Sequence, residues 1–462
     1  MPSSNTPIRK TDMTVGSPLK LILTFTIPLL IGNIFQQLYN VVDSIVVGNY
    51  VGSVALAAVG TAFPVIFMFT SLFMGIGIGA TIMIAQYFGA GDNDKVRKTV
   101  DTIYSAIMIG AIPLTVVGVL FSGTFLKIMK VPADTFADAH LYITIIFLGI
   151  IASLGYNVNA GILQGLGDSR SPLIFLSIAT AINIALDLLF VVVFGWGVAG
   201  VAIATVIAQF SSWLFGIFYI NKKYPNLHIR PFHFSFDKAL FLQAVKLGVP
   251  AGIQQAIFSI GIMAMQSLVN SYGSDFMAGY NGASKIDTFS FLPIQSFATS
   301  ITTFVGQNIG AGKMDRVKQG AKITLIMSIG CNLVISAILL LVGPWLMRLF
   351  SPSEPVIQAG LVYMYRVLPF HWLLATMFIV NGIMRGAGEM TIPLLSTTLS
   401  LWAARVPSAY LIAHYIGRDD IFFCNPIGWA LGVTLALSYY LSGRWKNKAI
   451  VSKKAALAQL ID

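Results

Sequence analysis

Asn33, Gln36, Gln37, Asn40 and Asp43 crowd into one otherwise apolar stretch, and the subset at 33, 36, 40 and 43 recurs every three to four residues, which puts it on one helix face. Asn183 and Asp187 stand four apart in a second such stretch, and Thr205 follows the Gly195-Trp196-Gly197 turn in a third. Counting about 1.5 Å of rise per residue from the expected helix ends brings Asp43, Asp187 and Thr205 to one depth. Two carboxyls in a low-dielectric site do not readily hold two negative charges, so the pair should bind a proton or a cation, with Asn and Thr oxygens as neutral partners. That is the chemistry of a coupling-ion site. The alternative use of both acids is helix packing through hydrogen bonds to Asn and Thr neighbours. An ionisable group inside hydrocarbon costs about 3 kcal/mol on insertion scales, so Lys285, Asp287, Arg366 and Arg405 must also face protein or water. Arg366 lies near a helix end and can snorkel. Asp287 with Arg405 is a candidate internal ion pair, with a role in the transport pathway as the alternative.

The elements that carry these groups must cross a membrane. Of the 462 residues 56% are apolar and 10% charged, too few polar groups to cover a water-exposed surface. Apolar stretches long enough to span hydrocarbon run near 18–47, 53–84, 98–123, 136–158, 171–194, 197–220, 240–270, 276–305, 320–343, 357–382, 392–415 and 426–444. The net charge of +11 does not indicate a nucleic-acid binder. With the N-terminus inside, 20 of the 29 bases fall on the cytoplasmic side, among them Arg9, Lys10, Lys453 and Lys454, while Lys127, Lys130, Arg348 and Arg418 fall outside. This bias predicts a multi-pass protein of the plasma membrane with both termini cytoplasmic. Cys331 and Cys424 read as small buried hydrophobes. The histidines are scattered and lack metal-ligand spacing to Cys, Asp or Glu, so neither a metal site, a cofactor nor an enzyme is expected.

The chain is also a repeat. Gln86–Arg97 reads QYFGAGDNDKVR, and 221 residues on, Gln307–Lys318 reads QNIGAGKMDRVK; Gly165-Leu166-Gly167 with Pro172 recurs as Gly386-Ala387-Gly388 with Pro393. Both Gly-Ala-Gly loops fall inside, so the halves are six-helix bundles of the same orientation. The expected divisions are a tail over 1–17, a first lobe over 18–220, a linker over 221–239, a second lobe over 240–444 and a tail over 445–462. The halves diverge in chemistry, because the repeat partner of Asp187 is Ser408.

The run Tyr39-Asn40-Val41-Val42-Asp43 after Pro28, the Gln86 and Gln307 loops, Gln164-Gly165-x-Gly167-Asp168 before Pro172, Asn183-x-x-x-Asp187, Thr205 and Arg385 together resemble the multidrug and toxic compound extrusion family of the MOP flippase superfamily. The resemblance covers essentially the whole chain. It implies an all-α membrane protein with twelve helices in two pseudo-symmetric bundles around a V-shaped cleft, a monomer in the lipid bilayer that expels bulky, often cationic amphiphiles in exchange for H⁺ or Na⁺. Carried onto this sequence, it implies an ion site at Asp43, Asn183, Asp187 and Thr205, with Tyr142 and Asn157 joining Asn33, Gln36 and Asn40 in a polar network, and a helix bend at Pro28. Helix seven offers Gln254 and Gln255 where one branch has acids, and helix ten has no carboxylate, so the chain looks more like the DNA-damage-inducible branch. Lys285, Asp287 and Arg405 are then a second-half charge cluster without an assigned role. A lipid-linked precursor flippase or an exporter of an endogenous metabolite from the same superfamily is the rival reading; a flippase would need a strongly basic cavity.

Overall fold

Apolar composition and near-absence of strand-forming alternation produce helix throughout. The computed structural model describes residues 12–451 apart from 130 and 232, and no strand occurs among them. The expectations placed on Arg9, Lys10, Lys130, Lys453 and Lys454 lie outside the described residues.

Twelve helical rods follow one another among the described residues. They are α1 Pro18–Val51, α2 Ser53–Gly89, α3 Asn93–Ile128, α4 Ala133–Leu148 with Ile150–Gly165, α5 Arg170–Val193 and α6 Gly197–Lys223. Then come α7 Lys238–Asn270, α8 Ser274–Gly310, α9 Met314–Phe350, α10 Glu354–Gly386, α11 in three pieces from Thr391–Leu399 through Ser400–Arg405 to Val406–Tyr415, and α12 Arg418–Ser442. Nine of these are long and apolar enough to cross a membrane singly, and the two parts of α4, bent by 54°, make a tenth. The other two are α8, which buries a run of Ser, Thr, Gln and Asn side chains in its second half, and the thrice-divided α11. Ile112 at 65% and Leu341 at 82% exposure show the apolar outer surface that lipid would cover.

The repeat has a physical basis at its turns. Gly91 and Gly312 close the Gly-Ala-Gly loops at φ 73° and 71°, and Gly167 and Gly388 do so at 85° and 92°. A side chain there would strain the left-handed backbone that ends the preceding helix. After the second of these turns each half buries an acid. Asp168 accepts from the backbone N–H of Arg170 and Ser171, from the Ser171 hydroxyl at 2.7 Å and from Lys223 at 2.6 Å. Glu389, 221 residues on, accepts from the N–H of Thr391 at 2.8 Å and from Tyr439, and pairs with Lys448 at 3.3 Å. Burial alone would raise the Asp168 carboxyl, but Lys223 and Ser171 outweigh it and hold the group below the usual carboxylate range. A depressed folded-state value stabilises the protein above the unfolded carboxylate pKa, and that stability is lost as pH falls through the folded value. Lys223→Met, which leaves the 3%-exposed carboxylate without its cation, is expected to cost about 1–2 kcal/mol after allowance for the half-exposed lysine, read as a lower Tm in detergent at neutral pH with a smaller deficit in acid.

The chain divides into two compact units that depart from the sequence halves at two places. The first is built on Ile31–Gly252; the second takes Met13–Leu30 together with the chain from Ile253 onward. The beginning of α1 therefore belongs to the second unit and the beginning of α7 to the first. Pro28 and Pro250, each of which removes a backbone hydrogen bond, lie just before these changes.

Small residues explain how the helix beginnings are held. In the first unit a Cβ on Gly75 would lie 2.3 Å from the Gly248 carbonyl oxygen, and one on Gly79 would lie 2.5 Å from that of Ala244. The α2 and α7 backbones thus touch directly. In the second unit Ser300 Oγ donates to the Ile22 carbonyl at 3.3 Å, and Ile22 and Phe25 are buried among Phe297, Ile301 and Phe304. Ahead of α1, the Met13 N–H donates to Gln307 Oε1 at 2.8 Å and Lys313 Nζ donates to the Thr14 carbonyl at 3.0 Å. Ahead of α7, the N–H groups of Ser235 and Asp237 donate to Ser105 Oγ and Thr102 Oγ1, both at 3.1 Å.

Candidate functional site

Four rods of the first unit bring the polar residues together. Toward the end of α1, Tyr39 and Asn40 lie one turn before Asp43, ahead of a π-helical turn over Val47–Val51 where the backbone loosens. On α5, Asn183 and Asp187 stand one turn apart, and a second π-helical turn, Leu188–Val193, begins directly after Asp187. Such widened turns are frequent at functional sites. The break in α4 falls at Gly149, where a Cβ would sit 2.4 Å from Val206 Cγ1 on α6, so close α4–α6 packing demands glycine. Tyr142 lies before that break and Asn157 after it.

A cavity of about 400 Å³ opens between these elements, lined by Tyr39, Asn40, Asp43, Ser44, Tyr142, Asn157, Thr205 and Gln209 among apolar neighbours from α2 and α4. Behind Asp43 the Asp187 carboxyl comes within hydrogen-bonding reach of it. Asn183 and Asp187 are each 1% exposed. The Tyr39 hydroxyl is 3.4 Å from Thr205 Oγ1, and Tyr142 faces the same two carboxyls and Thr205. One Asp43 oxygen, both Asp187 oxygens, the Asn183 amide and Gln209 Oε1 are buried without a hydrogen-bond partner. Leaving such groups unpaired costs about 1–3 kcal/mol each, more when charged. A cation or a shared proton among these oxygens removes that cost, so the donor set fits either ion.

Asp43, Asp187 and Thr205 thus come together, with Asn183 one turn from Asp187 on the same helix and Asn40, Tyr142 and Asn157 around the same cavity. Asn157 sits at its edge, with its amide donating to the Ser153 carbonyl of its own helix at 2.8 Å. Asn33, half-buried, and Gln36, exposed, are on α1 but do not line the cavity. Pro28 lies in the part of α1 that belongs to the second unit. Tyr39 and Gln209 were not singled out as site residues; the four-residue spacing of Tyr39 to Asp43 was the available signal for the first.

The second-half charges do not form one cluster. Asp287 accepts from the Tyr363 hydroxyl at 2.7 Å and lies 3.1 Å from His371 Nε2, and no Asp287–Arg405 ion pair forms among the described residues. Lys285, two residues from Asp287, is exposed on another face of α8. Arg405 ends the π-helical turn of α11, with Nε unpartnered. Arg366 pairs with Asp420 at 2.7 Å. Ser408, the repeat partner of Asp187, donates to the Arg405 carbonyl of its own helix.

The MatE family model matches residues 28–189 and 250–411, one copy in each half of the chain. The chain belongs to the MatE family. Among curated MatE relatives, "Probable multidrug resistance protein YpnP" of Bacillus subtilis is 31% identical over 444 residues, covering 96% of this chain and 99% of the relative. "Probable multidrug resistance protein NorM" of Thermotoga maritima is 26% identical, with 94% and 95% covered. Among solved structures, a MOP superfamily transporter from Pyrococcus furiosus superposes with a TM-score of 0.86 at 24% identity, covering 96% of this chain and 98% of that one. The MatE fold, all-α and twelve-rodded, is accordingly shared.

Proposed function

We propose that this MatE chain is a cation-coupled antiporter of the plasma membrane, its termini cytoplasmic, that exports amphiphilic, often cationic small molecules by alternating access. The observation that carries this reading is the Asp43–Asp187 contact beside a cavity, with orphaned oxygens of Asp43, Asn183 and Asp187 around it. An H⁺ or Na⁺ there neutralises the pair, and its departure restores repulsion between the carboxyls. That difference gives an ion the means to favour one arrangement of α1 and α5 over another. Coupling follows only if ion and cargo bind the two arrangements unequally, since tight binding to both moves nothing. The names of the relatives support a small-molecule drug as cargo.

Pro28 is the proposed hinge of α1. Solved structures of similar fold are described as "MATE in the straight conformation" and "MATE in the bent conformation", which supports a helix that can bend. The test is ethidium transport in everted membrane vesicles, first with Na⁺ removed and then with the pH gradient collapsed by an ionophore. One of the two treatments is expected to stop transport, and Pro28→Ala is expected to slow it; transport that survives both treatments overturns the antiport reading.

A further inference from the structure

The second unit holds an ionisable centre that the first-unit site does not use. Asp287 of α8 receives the Tyr363 hydroxyl on Oδ2 at 2.7 Å, and its Oδ1 lies 3.1 Å from His371 Nε2 on α10. The far ring nitrogen, Nδ1, is 3.0 Å from Ser290 Oγ, and Trp429 of α12 packs edge-on against the ring with centroids 5.4 Å apart. His371 is 1% exposed and Asp287 18%, so the ring is enclosed and the aspartate side chain is not fully so. At 3.1 Å the ring is still turned so that no aligned hydrogen bond joins Nε2 to Oδ1, and both atoms are buried without a hydrogen-bond partner.

The repeat places this centre. Tyr363 stands 221 residues after Tyr142, and each tyrosine lies ahead of a break in its rod, at Gly149 in α4 and at Leu368–Phe370 in α10. Tyr142 faces Asp43 in the first unit, and Tyr363 donates to Asp287 in the second. Each unit therefore sets a carboxyl against the same repeat tyrosine, from α1 in one and from α8 in the other. The repeat partners of Asp287 and His371 are Ile66 and Ile150, both on the wall of the first-unit cavity.

We propose that Asp287 and His371 form a second proton site, whose proton is exchanged during transport. This rests on the antiport reading above and extends it to the second unit. A metal cation needs several oxygens free to converge on it, whereas one Asp287 oxygen already accepts from Tyr363, and no three His, Cys, Asp or Glu side chains converge among the described residues. Imidazole titrates within the working range of a proton-driven carrier. The groups around it are Tyr280 and Asp287 from α8, Tyr363 from α10, Arg405 from α11 and Cys424 from α12, while α9 contributes apolar Leu339, Leu340 and Met347. Protonation turns the misaligned contact into an ion pair, and a small rotation of the ring aligns it. Deprotonation releases the ring again, so proton occupancy and the fit of α8 against α10 change together.

The test uses the purified full chain in weakly buffered detergent at about pH 6.5, with protons followed by an indicator dye as tetraphenylphosphonium is added. His371→Gln, whose amide can still meet Ser290, is expected to lower the protons released per bound cation by about one, and Asp287→Asn to do the same. Asp43→Asn reports separately on the first-unit site. Loss of release in the His371 and Asp287 variants with none in Asp43→Asn supports the second site while overturning the first; the reverse overturns the second. The histidine NMR signals of the unmodified protein, with His371 identified by its absence from His371→Gln, are a readout that needs no active variant. The His371 signal is expected to change with pH and on cation binding, and a resonance unchanged in both respects overturns the proposal.

Discussion

Asp43→Asn is expected to abolish the ability of an ion gradient to concentrate drug in proteoliposomes. One proton moving down one pH unit is worth about 1.4 kcal/mol, enough for about a tenfold drug gradient per proton coupled through this site, and that ratio should fall to about one in the variant. Asp187→Asn should do the same, because the two carboxyls lie within reach of each other and one ion would neutralise both. The double substitution should then be no worse than either single one, which independent sites would not show. Asparagine keeps the size and polarity of each side chain, so loss of coupling with drug binding retained separates an ion role from a packing role. Full gradient-driven accumulation in both single variants would return Asp43 and Asp187 to helix packing.

Gly75→Val is expected to have the largest effect on folding. The added Cβ would lie 2.3 Å from the Gly248 oxygen, 2.6 Å from the Gly252 nitrogen and 2.8 Å from the Gly252 Cα. All three are backbone atoms of α7, which cannot swing aside as a side chain does. Overpacking a core costs about 1–3 kcal/mol where side chains can adjust, so a contact between two backbones should exceed that. Gly77, two residues along the same helix, has nothing within 4 Å of its Cβ position and serves as the control. Gly77→Ala should leave thermal unfolding in detergent nearly unchanged or raise it, since alanine is the better helix former by about 1 kcal/mol. Equal melting of the Gly75 and Gly77 variants would mean that the α2–α7 contact contributes little.

Much of this architecture was legible because hydrocarbon imposes a long apolar run on any helix that crosses it. All twelve stretches read from the sequence fall on the twelve rods. What sequence could not supply was the shape within a rod. The stretch 136–158 gave no sign of the 54° bend, because Gly149 is one of many glycines and its reason is Val206 on another helix. The π-helical turns after Asp43 and Asp187 also leave no mark in residue type. At the site, helical spacing was enough to put Asp43 on one face of its helix and Asn183 with Asp187 on one face of theirs. Comparing depths was enough to bring Thr205 to them. Asn33 and Gln36 share the stripe of Asp43 without reaching the cavity, since periodicity gives a face but not how far along the helix the cavity extends. His371 was passed over because its partners are an acid 84 positions away on α8 and a serine beside it, a relation that spacing cannot show.

The division of α1 and α7 has a consequence for genetics. A fragment ending in the 221–239 linker would carry Ile22 and Phe25, 0% and 3% exposed, without the Phe297 and Phe304 rings that cover them, and would lack the Gly248 backbone that Gly75 meets. Such halves are unsuited to separate expression, though they remain candidates for complementation when made together. Second-site suppressors of lesions at Ile22 or Phe25 should accordingly map beyond residue 253, in the half of the gene that their own codons precede.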